Sequence, residues 1–207
     1  MRKMITVKIN GEERQYPQGA TYEDVTNDYQ QEYENLIALA ARDGKIRELF
    51  KKLTRDCEVT FFTLKDDVGN KTYVRSATML FLKAVFDVYG REAAQSCRVE
   101  FAIGNGSYIS PKGKINATEE NAAKIRNRML ELVEAKTPFL KRSYSLDNAM
   151  ELFRKEGMKD KEKLFRYRRG SFVNIYEMDG YYDYYYGYML PNAGYVKWFD
   201  VIAYEDG

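Results

Sequence analysis

Apolar and polar residues alternate along the beginning of the chain, which is the pattern of β-strands with one buried face. Met4-Ile5-Thr6-Val7-Lys8-Ile9 is the clearest example, and the pair Asn10-Gly11 after it favours a two-residue turn of type I′. Thr21-Tyr22-Glu23-Asp24 has the spacing of a capping box, which predicts a short helix over residues 21–29. Further strands are predicted at residues 12–16, 36–40 and 58–64. Strands that surround a single helix in so short a stretch indicate a β-grasp unit.

Beyond residue 70 the apolar residues take the spacing of helices. From Val74 to Val88 they recur every three or four residues, which predicts a helix over residues 72–89. Thr118 and Ser145 are suitable N-caps for two more helices, over residues 118–135 and 145–157. Residues 98–109 are predicted to form a hairpin around Gly104-Asn105-Gly106, and residues 171–204 to be mainly strand.

The two patterns meet at Asp66-Asp67-Val68-Gly69-Asn70, which is predicted to be a loop. We therefore predict an α+β protein with two domains. Residues 1–66 form the β-grasp domain, and residues 70–207 form the larger α+β domain.

The composition excludes several kinds of chemistry. The chain has 207 residues and no histidine, which removes Ser-His-Asp and Cys-His nucleophile systems and imidazole zinc sites. Its two cysteines, Cys57 and Cys97, imply neither a disulfide framework nor a metal site. The net charge of +2 argues against a surface that binds polyanions everywhere, although a local basic patch is compatible with it.

No motif for nucleotide phosphates or for membranes is present. The chain lacks G-x-x-x-x-G-K-[ST], and Gly104-Asn105-Gly106-Ser107 is better explained as a hairpin turn. No stretch approaches the roughly 20 apolar residues of a membrane span. The first residues lead into a strand without the apolar core of a signal peptide. A cytoplasmic protein is expected, because the two isolated cysteines imply no disulfide framework.

The order of elements resembles a known pair of domains. Residues 4–64 resemble a TGS domain, the ubiquitin-like module at the front of threonyl-tRNA synthetases. Residues 71–204 resemble the editing domain that follows it there and is shared with alanyl-tRNA synthetases. A group of uridine-kinase-like proteins carries the same pair ahead of a P-loop kinase. Three segments are similar to signatures of that group: Arg75-Ser76-Ala77-Thr78, Lys163-Leu164-Phe165-Arg166-Tyr167-Arg168-Arg169 and Tyr186-Gly187-Tyr188-Met189-Leu190-Pro191.

The resemblance also marks the positions of a lost active site. Synthetase editing domains use a His-xxx-His pair on their first helix and a Cys-xxx-His pair late in the domain. These positions correspond here to Arg75 and Met79, and to Tyr185 and Met189. A guanidinium cannot bind a metal cation, and a thioether is a poor zinc ligand. The resemblance therefore implies neither catalytic residues nor a metal nor a cofactor in this segment; ATP and Mg²⁺ would belong only to a kinase domain downstream.

Two surfaces have alternative interpretations. Arg75, Met79, Tyr185 and Met189 either line a ligand cleft or fill it by packing. Lys163, Arg166, Arg168 and Arg169 alternate with aromatic residues, a composition that suits RNA backbone contacts and base stacking, but equally a solvated face. The six tyrosines between Tyr181 and Tyr188 form either a stacking platform or part of a packed sheet.

Together these observations predict a non-catalytic accessory segment. The first hypothesis is a regulatory or ligand-sensing segment of a uridine-kinase-like protein, with the kinase domain as its partner in cis and the reading frame continuing beyond Gly207. The alternative is an RNA-binding module that keeps affinity for tRNA without deacylase activity. A free-standing deacylase conflicts with the missing ligands.

Overall fold

The computed structural model describes residues 3–104 and 106–207, so the predicted turn at Asn105 lies outside the described residues. The protein is α+β, and it divides into two compact units. Unit 1 comprises residues 1–76 together with residues 186–191, and unit 2 comprises residues 77–185 and 192–207. The chain passes from unit 1 to unit 2 between residues 76 and 77, within the long helix that follows the last strand of unit 1. The predicted domain boundary at residues 66–70 stays a prediction.

Unit 1 is built on a five-stranded sheet. Its strands are β1 (Met4–Ile9), β2 (Glu12–Pro17), β3 (Ile37–Arg42), β4 (Lys45–Glu48) and β5 (Cys57–Thr63). They lie in the order β2-β1-β5-β3-β4, and β1 pairs parallel with β5 while the other pairs are antiparallel. This order, with one helix between β2 and β3, is the arrangement expected of a β-grasp unit.

Local sequence explains the turns and the helix of unit 1. Asn10 and Gly11 both have positive φ, 51° and 88°, as a type I′ turn requires, and Ile9 pairs with Glu12 across it. Helix α1 (Tyr22–Tyr29) begins with the predicted capping box, since the Asp24 amide donates to Thr21 Oγ1 at 3.1 Å and the Thr21 amide donates to Asp24 Oδ2 at 2.8 Å. The ring of its buried Tyr29 lies 5.7 Å from that of Phe61 on β5, and Ile5, Val7 and Ile9 of β1 are buried as well.

Helix α2 (Asp67–Tyr89) begins five residues before its predicted start at Thr72. The predicted loop at residues 66–70 is therefore wrong. Asp66 accounts for the early start, because its carboxylate accepts from the Thr63 amide at 2.7 Å and its carbonyl accepts from the Asn70 amide at 2.9 Å. Gly69, which suggested a loop, lies inside this first turn.

Unit 2 contains the rest of α2 and several shorter elements. The helices are α3 (Arg91–Ser96), α4 (Glu119–Glu134), α5 (Leu146–Lys155) and α6 (Lys159–Arg166). The strands are β6 (Arg98–Ile103), β7 (Gly106–Ser110), β8 (Leu140–Ser145), β9 (Phe172–Met178) and β10 (Tyr181–Asp183). β6 and β7 form a separate hairpin, and the other three form an antiparallel sheet in the order β10-β9-β8.

One prediction for unit 2 needs correction. Residues 171–204 are strand only as far as Asp183, and the remaining part, 184–204, is irregular apart from a 3-10 turn at Ala193–Tyr195. Lys163 and Arg166 of the basic run belong to α6, a helix that was not predicted. None of the helices within residues 3–104 and 106–207 combines the length and apolar character needed to cross a membrane.

Candidate functional site

The positions that correspond to the lost editing ligands lie in both units. Arg75 and Met79 are one turn apart on α2, and Arg75 belongs to unit 1 while Met79 belongs to unit 2. Met189 lies in the segment 186–191 of unit 1, and Tyr185 ends the preceding stretch of unit 2.

In unit 1, Arg75 is held against the backbone of the segment 186–191. Its guanidinium donates a hydrogen bond to the carbonyl of Tyr188. Gly187 has a φ of +134°, and a Cβ placed on it would lie 2.6 Å from Arg75 Cζ. Only a glycine leaves room for the guanidinium in its present position, so Arg75 and Gly187 form one packing arrangement.

Met189, which belongs to the same segment, is fully buried. Its amide donates to Glu48 Oε1 at 3.2 Å, and the Leu190 amide donates to Ser76 Oγ at 2.9 Å. The sulfur of Met189 lies 4.0 Å from that hydroxyl oxygen. Both unit 1 positions, Arg75 and Met189, are thus engaged by protein atoms rather than directed into an open cleft.

The two unit 2 positions are apolar in character. Met79 is fully buried, and the ring of Tyr185 meets that of Tyr176 edge-on at 6.5 Å. The Tyr185 hydroxyl is buried without a hydrogen-bond partner among the described residues. Burial raises the pKa of Tyr185 well above its usual value, so the phenol is neutral at physiological pH.

Unit 2 also contains a polar cavity of about 320 Å³ that the sequence did not predict. At its buried side the Asp183 carboxylate accepts from the ammonium of Lys161, from the Tyr181 hydroxyl at 3.2 Å and from the Tyr184 amide at 2.5 Å. Asp183 and Tyr181 are only 2% and 3% exposed. A carboxylate, an ammonium and a phenol therefore meet at one buried point.

Burial shapes the protonation of this cluster. It lowers the pKa of Lys161 to about 8, with Asp160 opposing this shift and Arg98 adding to it. Burial also raises the pKa of Tyr181, which stays a neutral donor. Such a set of groups suits a ligand with hydroxyl, carboxylate or phosphate oxygens.

A sequence signal for Lys161 did exist. Lys161 and Phe165 are four residues apart on α6, so they share a face of the helix, and Phe165 is the buried residue of that helix. A lysine on the buried face of an amphipathic helix needs a partner. The partner, Asp183, comes from a different element, which the spacing of residues on α6 cannot reveal.

The predicted basic residues divide into two kinds. Lys163, Arg166 and Arg169 are exposed, although Arg166 lies 3.9 Å from the carboxylate of Glu162. Arg168 instead contacts Tyr184, donating to its hydroxyl and lying 5.2 Å from its ring centroid. Tyr167, between them, is 83% exposed. Exposed cationic groups and an exposed aromatic ring therefore follow one another closely at the end of α6 and just beyond it. We call these four residues the α6 surface: Lys163, Arg166, Tyr167 and Arg169.

No group of three or more Cys, Asp or Glu side chains suited to a metal ion occurs within residues 3–104 and 106–207. Burial raises the pKa of Cys97 to about 11, so it is a thiol near neutral pH. A thiol is neither a strong nucleophile nor a ready metal ligand. The prediction that this segment binds no metal rests on these side chains and on the absence of histidine from the sequence.

Curated proteins similar to this chain include threonine–tRNA ligases. It is 28% identical to the enzyme of Thermotoga neapolitana over 97% of this chain and 31% of the ligase. It is 28% identical to that of Thermotoga maritima over 96% of this chain and 30% of the ligase. It is 24% identical to that of Porphyromonas gingivalis over 91% of this chain and 29% of the ligase. The chain thus spans less than one third of the length of these curated relatives. No family model matches it.

Proposed function

We propose that this chain is a synthetase-derived module that binds the acceptor end of tRNA but does not hydrolyse the aminoacyl ester of a charged tRNA. The observation that carries the proposal is the alignment of 97% of the chain with a threonine–tRNA ligase. The positions that correspond to editing ligands meanwhile hold Arg75 and Met189, which are engaged in packing. Binding of tRNA needs a protein surface of complementary charge and shape. Hydrolysis of the aminoacyl ester also needs the metal or catalytic ligands that are lost here.

The α6 surface supplies suitable contacts for a nucleic-acid backbone. Lys163, Arg166 and Arg169 can each approach a phosphate, and Tyr167 offers a free ring on which a base can stack. Arg168 holds Tyr184 and acts as a positioning residue. Basic and aromatic residues on one surface are the combination that single-stranded RNA requires.

The polar cavity is the proposed binding site of the terminal nucleotide of the tRNA. Helix α6 carries both Lys161, which lines the cavity, and Lys163 and Arg166, which face solvent. A strand that followed the exposed side of this helix would therefore meet the cavity within a turn or two. The Asp183 carboxylate and the Lys161 ammonium there suit the hydroxyl groups of a ribose and the oxygens of a phosphate.

Salt titration of tRNA binding tests the electrostatic part of the proposal. The triple variant Lys163→Ala, Arg166→Ala and Arg169→Ala should bind more weakly. The slope of its plot of log affinity against log salt should be smaller in magnitude by about 2–3, since each of the three lost phosphate contacts removes about 0.7–0.9 from the slope. The matched control removes three exposed lysines of unit 1, Lys8→Ala, Lys45→Ala and Lys65→Ala. Equal effects of the two triple variants would contradict the proposed surface.

A substitution of Tyr167 tests the stacking part. Tyr167→Ala should weaken binding by about 1–3 kcal/mol with an unchanged salt slope, because stacking releases no counterions. Tyr167→Phe keeps the ring and should bind as the natural chain does. If the two variants behaved alike, base stacking on this ring would be excluded.

The predicted connection to a uridine-kinase-like protein finds no support in the relatives named above. It stays a prediction, as does a regulatory or ligand-sensing role toward such a kinase in cis. A regulatory segment without RNA affinity would show the same weak tRNA binding in the natural chain, in the α6 triple variant and in the unit 1 control. The salt titration therefore separates the two hypotheses.

A further inference from the structure

We propose that a second cavity, enclosed by the β6–β7 hairpin, the beginning of α4 and residues 200–207, binds a neutral, mainly apolar small molecule that carries an aromatic ring. The cavity lies within unit 2 and has a volume of about 440 Å³. Ligand sites of proteins typically measure ~300–1,000 Å³ and are lined mainly by apolar side chains. It is distinct from the polar cavity, although Cys97 lines both, and the inference does not depend on RNA binding.

Three separate elements supply the apolar lining. It includes Ile103 and Ile109 of the hairpin, Ile115 before α4 and Ile125 within it, and Val201 and Ile202 of the last segment. Ile115 and Ile125 are buried, whereas Ile103 and Ile202 are 47% and 68% exposed. The cavity therefore has a buried floor and an apolar rim in contact with water. An apolar molecule in the cavity would remove that rim from water, which is favourable.

Aromatic rings define one wall. Tyr108 stacks on Phe101 with ring centroids 5.0 Å apart and planes inclined by 15°. Tyr204 also contacts Tyr108, edge-on, with ring centroids 6.5 Å apart and planes inclined by 86°. Tyr108 and Tyr204 both line the cavity. A ligand ring can extend this cluster with the edge-to-face or offset geometry that aromatic groups prefer.

The electrostatics favour a neutral ligand. Asp200 is the one charged residue among the described residues of the lining. Its carboxylate already accepts from Arg126 Nη1 at 2.8 Å and from the Val201 amide at 2.8 Å. Removing a ligand charge from water without a partner is costly, so a charged ligand is disfavoured here.

Two polar side chains of the lining retain hydrogen-bonding capacity. Within residues 3–104 and 106–207, the hydroxyl of Ser107 and the carboxamide of Asn116 have no side-chain partner. Together they offer donors and acceptors to a ligand. The expected ligand is thus a ring compound with one or two uncharged polar groups.

A pair of fluorescent probes tests the site on the intact chain. N-phenyl-1-naphthylamine is neutral, and 1-anilinonaphthalene-8-sulfonate has the same rings with one negative charge. We expect saturable one-to-one binding of the neutral probe, about tenfold tighter than that of the sulfonate, because the charge has no partner in the cavity. Equal affinities, or no saturable binding of the neutral probe, would overturn the proposal.

Matched variants locate the probe. Ile202→Glu places a charge on the rim at an exposed position and should weaken binding of the neutral probe about tenfold. Leu164→Glu makes a similar change at another exposed apolar residue of unit 2, 53% exposed and outside the lining, and should leave binding unchanged. Equal effects would show that the probe binds elsewhere. A dimer that forms with rising concentration, is lost in Ile202→Glu and excludes the probe would assign the rim to a second copy and overturn the proposal.

Energy transfer from tryptophan gives a second measurement on the natural chain. Trp198 is the single tryptophan and lies four residues before Ile202. Its emission overlaps the absorption of the neutral probe, so a bound probe should quench Trp198 and emit in its place. Trp198→Phe provides the blank. Binding without transfer from Trp198 would place the probe away from the cavity and refute the assignment.

Discussion

At Gly69 the space around one residue reverses the usual preference of a helix for alanine over glycine. It lies in the first turn of α2, where alanine normally favours a helix over glycine by about 1 kcal/mol. A Cβ at this position, however, would lie 2.0 Å from the backbone carbonyl oxygen of Thr63. That oxygen belongs to the backbone and cannot rotate away as the end of a side chain could.

We therefore expect Gly69→Ala to destabilise the protein by about 1–3 kcal/mol, the cost typical of overpacking. The neighbouring exposed Asn70 provides the control, and Asn70→Ala should change stability by less than about 0.5 kcal/mol. Urea unfolding of both variants measures the difference. A stabilised Gly69→Ala protein would mean that Thr63 can move away from α2 at little cost.

Lys161 provides a prediction about pH. Burial lowers its pKa from the usual 10.5 to about 8. Between these values the unfolded chain holds a proton on this amine that the folded chain has released. The contribution of Lys161 to stability therefore rises as the pH increases from about 8 to 10.5, and it is unfavourable below pH 8.

In protein labelled with ¹³C-lysine, the ¹³Cε resonance of Lys161 should report the pKa of this amine in the folded state. We expect its titration midpoint near pH 8, and Lys161→Arg should remove that resonance and so assign it. A Lys161 midpoint near 10.5, the usual value for a lysine, would show that the carboxylate of Asp183 dominates over burial.

At the scale of elements, α6 depends on a single buried side chain. Phe165 is 1% exposed and contacts Phe153 of α5 at 5.4 Å and Tyr184 at 5.0 Å between ring centroids. Apart from the exposed Leu164, the other residues of the helix are charged. The position of α6, and with it the α6 surface, therefore depends on this aromatic cluster.

Phe165→Ala should lower the free energy of unfolding by about 3–5 kcal/mol, because it removes a buried ring and leaves a cavity. Leu164→Ala, at the exposed neighbouring position, should change it by less than about 0.5 kcal/mol. Chemical denaturation followed by far-UV circular dichroism compares the two. Similar small losses in both variants would mean that α6 is held mainly by its ion pairs, such as Arg154–Glu162 at 2.9 Å.

At the scale of the whole molecule, the two packed positions in unit 1 and the lack of histidine lead to one expectation. The protein should release no amino acid from tRNA charged with serine or threonine above the uncatalysed rate. Purified, tag-free protein should also contain well below one zinc per chain, since Arg75 cannot bind a cation and Met189 Sδ lies against Ser76.

Radiolabelled aminoacyl-tRNA and elemental analysis measure these two quantities. Enzyme-dependent release that disappears in Arg75→Ala or Tyr185→Phe would reveal a chemistry that does not use the lost ligands. Stoichiometric zinc would require a site formed from other residues. Either result would remove the non-catalytic part of the proposed function while leaving tRNA binding to be tested by the salt titration.

The sequence by itself determined the elements whose signals are local. The β1–β2 hairpin follows from an alternating strand and the pair Asn10-Gly11, and α1 follows from the capping box at Thr21. Helix α4 follows from Thr118 and a regular apolar stripe. The sequence also excluded histidine chemistry, because that exclusion requires only the composition. In each case the residues that decide the outcome lie within a few positions of one another.

Only the tertiary structure decided where distant residues meet. The polar cavity depends on Lys161 of α6 reaching Asp183 of β10. Arg75 and Met189 became packed residues because the segment 186–191 returns to unit 1. Residues 184–207, although rich in strand-forming residues, formed no strand. Strand pairing and side-chain burial both require a partner from elsewhere in the chain, and no local pattern specifies that partner.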